Sequence, residues 1–123
     1  MKNSETLNAL YTKYGLTADD YFKHKHYTII TRSGIEKIQA KEDIHITYDF
    51  IEAGGAGVIL KAIASKSDKS IETFGSASKD TSQSRYYTEM AEKRAMSRAV
   101  LKITGLYKYG VFSEDESDEF KNE

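Results

Sequence analysis

Cysteine is absent from this chain of 123 residues, and so are proline and tryptophan. Without cysteine there is no disulfide, no thiolate zinc site, no redox motif and no cysteine nucleophile, and a reducing compartment is the simplest setting. Without proline, no proline-rich linker divides the chain, and the sequence holds no internal repeat. Also missing is an apolar run of the roughly 18 residues that cross a membrane. The opening MKNSETLNAL lacks the apolar core of a signal peptide, so the expectation is an intracellular protein with no membrane contact.

What is present suffices for one core. The length fits a single domain, and 39% of the residues are hydrophobic. The formal net charge of −1 averages two unlike parts. Residues 113–123 hold six acids against Lys121 alone, a net −5, which leaves +4 on residues 1–112. A mildly basic body admits a polyanionic partner. The acidic end is poor in apolar residues and is expected to be a flexible tail.

Apolar spacing predicts the elements. Leu7, Leu10 and Tyr11 recur at helical intervals over 4–13, with Gly15 as a stop. Thr17-Ala18-Asp19-Asp20 resembles a capping box and predicts a turn of helix before Tyr21 and Phe22. Residues 25–31 are β-branched and aromatic, which favours a strand, and Thr31 is placed to cap a helix through Lys41. Ile44, Ile46, Tyr48 and Phe50 alternate with polar residues, the clearest strand signal in the chain. Two further extended stretches, 58–65 and 71–77, follow across a glycine-rich turn and a polar turn. Together they predict a three-stranded antiparallel meander, with 25–31 available as a fourth strand. A long helix over 83–104 carries Ala91, Ala95, Ala99 and Ile103 as a stripe of mostly small residues to lie on that sheet. The class is therefore α+β, a β-β-β-α core preceded by short helices.

Few groups invite catalysis. His24 and His26 flank Lys25 with a chelating alternation, but a metal site needs further ligands and a second shell, so a surface or core role is the simpler reading. Asp19-Asp20 and Glu42-Asp43 sit at predicted helix ends, where capping explains them. Gly54-Gly55-Ala56-Gly57 lacks the lysine of a P-loop and the spacing of a dinucleotide fingerprint; joining two strand patterns, it reads as a hairpin turn. The last helix is different. Arg94, Arg98 and Lys102 form a ladder at four-residue steps with Lys93 beside it, and guanidinium groups pair well with phosphate oxygens. The plain alternative is a solvated helix face. Tyr21, Tyr27, Tyr86 and Tyr87 are available to stack on unpaired bases, or to pack within the body.

Three stretches carry a resemblance: Tyr27-Thr28-Ile29-Ile30-Thr31-Arg32-Ser33-Gly34-Ile35-Glu36-Lys37-Ile38, Phe74-Gly75-Ser76-Ala77, and Ala91-Glu92-Lys93-Arg94-Ala95-Met96-Ser97-Arg98-Ala99. In this order they resemble the Rad-fifty-two-like superfamily of single-strand annealing proteins, with its phage Erf and Sak types and related small phage single-strand-binding proteins. The resemblance implies protomers assembled side by side into rings or filaments, with a basic groove that holds single-stranded DNA. By position it implies phosphate contacts from Arg32, Lys93, Arg94, Arg98 and Lys102. Arg94 keeps a second reading, as a tie between helix and sheet. It further implies no cofactor, no bond made or broken, and action in the cytoplasm of a bacterial host. The tail, with Phe120 after Asp118-Glu119, is similar in kind to tails that recruit replication or recombination proteins. Two rivals remain: a protein-interaction module, such as a phage inhibitor or adaptor, gripping through the tail or an exposed strand, and, ranked last, a metal-assisted nuclease.

Overall fold

A computed structural model describes residues 2–25, 27–54, 57–78 and 87–116. The elements run α1 (Lys2–Tyr14), β1 (Tyr21–His24), β2 (Tyr27–Ile30), α2 (Arg32–Lys41), β3 (His45–Gly54), β4 (Gly57–Lys66), β5 (Lys69–Ser78), α3 (Tyr87–Thr104) and β6 (Val111–Ser113). Short 3-10 turns at Leu106–Tyr109 and Glu114–Glu116 flank β6. The α+β class, the antiparallel meander β3-β4-β5 and the long helix lying on it are as the sequence predicts.

Register explains why one face of the meander is dry. Val58, Leu60, Ala62 and Ala64 of β4 align with Ala77, Gly75, Thr73 and Ile71 of β5 on the face beneath α3. All except the half-buried Ile71 are buried there. The alanine stripe does what small residues allow: Ala91, Ala95 and Ala99 are fully buried, and the helix backbone comes down onto the strand. At Gly75 a Cβ would collide with the Ala91 carbonyl and the Ala95 amide, so only glycine fits. The threonine facing α3 is satisfied within this contact, since Thr73 Oγ1 donates to the Ala95 carbonyl at 2.8 Å.

Thr31 caps α2 as predicted, its hydroxyl accepting from the Gly34 amide at 3.3 Å. The predicted turn of helix before Tyr21 is instead a short turn into β1. Asp20 is used there differently from a helix cap: its carboxylate accepts from the Thr17 amide at 2.9 Å and from Lys37 Nζ at 2.6 Å. The strand at 25–31 is β2, but it does not extend the meander. It pairs antiparallel with β1 and parallel with β6, making a second three-stranded sheet. α3 therefore touches β4 and β5 on one side and α2, β6 and the 3-10 turns on another, which is why Ser97, Val100 and Leu101 are as buried as its alanines.

The expected start of a tail at residue 113 falls inside β6. Ser113 is fully buried, and the two acids after it are bonded to the body. Glu114 Oε1 accepts from the Arg32 amide at 2.9 Å, and Asp115 Oδ2 accepts from Ser97 Oγ at 2.9 Å. The short apolar run of Val111 and Phe112 pulls the first acids of the run onto the fold; residues 117–123 lie outside the described residues.

Candidate nucleic-acid interface

The basic ladder of α3 lies against an edge strand. Arg94 is only 7% exposed; its Nη1 donates to the Ser76 carbonyl at 2.7 Å and its Nε to the Asp115 carbonyl at 3.3 Å. One turn on, Arg98 Nη1 donates to the Phe74 carbonyl at 2.9 Å. Four residues of helix rise about 6 Å and two residues of strand about 6.8 Å, so arginines at i and i+4 match carbonyls at j and j−2 when helix and strand run antiparallel. At the far end Lys69 Nζ reaches the Ile103 carbonyl at 3.4 Å, in keeping with that direction. Of its two readings, Arg94 takes the tie between helix and sheet, and it is withdrawn from the phosphate contacts.

The other cations do not form the single row that their spacing suggests. Each four-residue step falls about 40° out of phase with a 3.6-residue helix, so the ladder winds from buried Arg94 through half-buried Arg98 to exposed Lys102. Lys93 is half-buried and, nine residues from Lys102, emerges on the opposite side. Arg32 opens α2 and is half-buried, with an Nε that is buried and without a hydrogen-bond partner among the described residues.

The aromatic expectations divide. Tyr21 stacks on Tyr11 with centroids 3.9 Å apart, and Tyr27 meets Phe112 edge-on at 5.1 Å, so both rings are engaged within the body. Tyr87 packs against the cluster of Val58, Leu60, Ala77 and Ala91. Tyr86 lies outside the described residues, as does His26 of the proposed chelating pair.

The outer face of the meander was not singled out from the sequence. Asp49, Lys61 and Phe74 form one row across it, and Thr47, Ile63 and Glu72 the next. Phe74 is 50% exposed there, and the Arg98 guanidinium sits on its carbonyl. The signal was legible: Phe74 is out of phase with Thr73, Gly75 and Ala77, which all face α3. Lys61 lies 3.8 Å from Glu72, so this face is of mixed charge.

Among the described residues two carboxylates are strongly perturbed, and both are structural. The hydrogen bond from Lys37, with the Thr17 amide, holds Asp20 at about 2. Glu42, the C-cap of α2, is held at about 2 by Lys66 of β4, with Lys13 and the Tyr14 hydroxyl of α1 adding to it. Burial, with the charge of Glu92, pushes Tyr48 up to about 12.

Comparison with family models, with curated proteins and with solved structures finds no match.

Proposed function

We propose that this chain binds single-stranded DNA along its phosphate backbone without sequence preference, in phage-type recombination or annealing in a bacterial cytoplasm. The observation that carries the reading is the core itself. A helix that opens on Arg32 precedes a three-stranded meander covered by a helix bearing the Ala-Glu-Lys-Arg-Ala-Met-Ser-Arg-Ala stretch, which is the order the resemblance to the Rad-fifty-two-like superfamily implies. With Arg94 internal, Arg32, Lys93, Arg98 and Lys102 are the cations that meet phosphates in this reading, Lys93 and Lys102 from opposite sides of α3 as the strand crosses it, and the exposed ring of Phe74 meets bases. No bond is made or broken in this reading, and no cofactor is called for.

So few cations bind weakly in one protomer, and assembly of several chains along a strand multiplies the sites by effective concentration. The acidic residues beyond Glu116 are left to recruit a replication or recombination protein. Four phosphate contacts give a salt slope of about −3 for a single strand. A titration of labelled oligo(dT) at two salt concentrations checks this, and the pair Lys93→Ala and Lys102→Ala is expected to flatten the slope by about half. Binding that is absent, or indifferent to salt, ends the proposal. The second reading, an adaptor that grips another protein by an exposed strand, is favoured by one feature, the open edge of β3. It predicts no salt-dependent DNA binding.

A further inference from the structure

The two edges of the β3-β4-β5 sheet are treated unlike one another. At β5, arginines from α3 hold the Phe74 and Ser76 carbonyls. At β3, ten residues long, β4 is the one strand paired among the described residues. An open edge is a template for another strand, and proteins ordinarily blunt it with lysine, proline, bulges or cover. β3 reads His-Ile-Thr-Tyr-Asp-Phe-Ile-Glu-Ala-Gly, with neither lysine nor proline. Its bulge falls between Phe50 and Glu52, which protects the far end and leaves His45 to Phe50 regular. On this edge Phe50 is 62% and Ile51 53% exposed, although Phe50 aligns with buried Leu60 on the side facing α3.

We propose that β3 pairs antiparallel with β3 of a second copy of this chain, about a two-fold axis at Tyr48, to make a six-stranded sheet. The choice of a second copy follows from self-complementarity. With Tyr48 opposite Tyr48, Ile46 faces Phe50 of the other copy and covers it, Thr47 faces Asp49, and His45 faces Ile51. No like charges are opposed. Centring the axis on Asp49 sets carboxylate against carboxylate, which is destabilising; centring it on Thr47 puts Phe50 opposite Ile44, outside the strand. The assembly is also closed. Because the arginines hold the Phe74 and Ser76 carbonyls of the β5 edge, head-to-tail growth has to displace them, and an isologous pair is the favoured end point. The unit is a closed pair in place of the ring or filament that the resemblance implies, so that chains would line a DNA strand as pairs, and it stands independently of whether DNA is bound.

Light scattering on the chain alone, without DNA, over a dilution series tests it. The expected mass is twice 13.9 kDa, falling to 13.9 kDa on dilution. Thr47 is exposed on the outer face, so the monomer tolerates replacement, which circular dichroism verifies. Thr47→Asp opposes two pairs of like charges across the axis and should weaken association about tenfold, whereas Thr47→Lys, facing Asp49, should not weaken it. A mass of 13.9 kDa at every concentration, assemblies larger than two, or equal behaviour of the two variants overturns the proposal. Uptake of a foreign strand by a chain that stays monomeric does the same. Failure of the oligo(dT) titration would remove the strand-binding reading and leave this one untouched.

Discussion

The β5 and β3 edges of one small sheet meet the same physical problem in opposite ways. Peptide groups along the rim of a sheet need partners, and on β5 they find them in α3: Arg94 and Arg98 donate to carbonyls two residues apart, and Thr73 returns a bond to the helix. On β3 no element among the described residues covers the rim, and two large apolar side chains stand in solvent there. Two arginines of the basic helix thus serve first as a seal. The charge of that helix is read as a nucleic-acid signal in the sequence, yet the innermost member is consumed by the fold.

The sharpest way to break this contrast is Arg94→Ala. It removes the charge-assisted hydrogen bonds to the Ser76 and Asp115 carbonyls, each worth about 1.5–3 kcal/mol, and empties the space of a side chain that is nearly buried. We expect a loss of about 3–5 kcal/mol in urea unfolding, with salt-dependent DNA binding unchanged per folded molecule. A variant that unfolds normally but no longer binds DNA would return Arg94 to the phosphate row and undo the seal.

Acid should loosen the packed side of the molecule before anything at the open rim. Asp20 and Glu42 titrate at about 2 in the fold against ordinary values of 3.8 and 4.5. Between those values the unfolded chain binds the protons and the folded chain does not, so their stabilisation is complete above pH 4.5 and is lost as pH falls toward 2. Each side chain is nearly buried, and by that shift Asp20 contributes on the order of 2 and Glu42 on the order of 3 kcal/mol. Thermal melts at pH 5, 3 and 2 should show a progressive fall. Lys37→Met should remove most of the Asp20 share of the pH dependence, and a pH-independent melting point over this window would contradict both clasps.

Periodicity made the meander, the capped helix α2 and the alanine face of α3 legible, because each is decided by local alternation or by a single cap. The second sheet was not. β1 and β6 are four and three residues long, and β6 pairs in parallel with a strand more than 80 residues earlier, a contact that no local pattern encodes. The same nonlocal pairing explains the acidic run: Glu114 and Asp115 look like the start of a free tail until Val111 lies beside Thr28 and brings them to Arg32 and Ser97. For the candidate site, the spacing of Arg94, Arg98 and Lys102 was correct, but their fate depends on the drift of a four-residue ladder around a 3.6-residue helix. Composition carries no trace of that drift. Arg94 shows the consequence, with one of its two readings selected by a strand edge that the sequence places 18 residues away.

The smallest expected effect is the one that defines the open side. Phe50 is largely in solvent in the single chain, so Phe50→Ser gives up only the buried minority of the ring and should cost the dilute monomer about 1–2 kcal/mol. Truncating a core phenylalanine costs about 3–5 kcal/mol, so the measurement separates the two cases cleanly. A loss no larger than this in dilute unfolding, together with a weaker association at high concentration, would locate the rest of the value of this ring between chains rather than within one. A loss of several kcal/mol at dilution would mean that the β3 rim is already covered by the chain itself, and the two edges would then differ in how they are closed and no longer in whether they are.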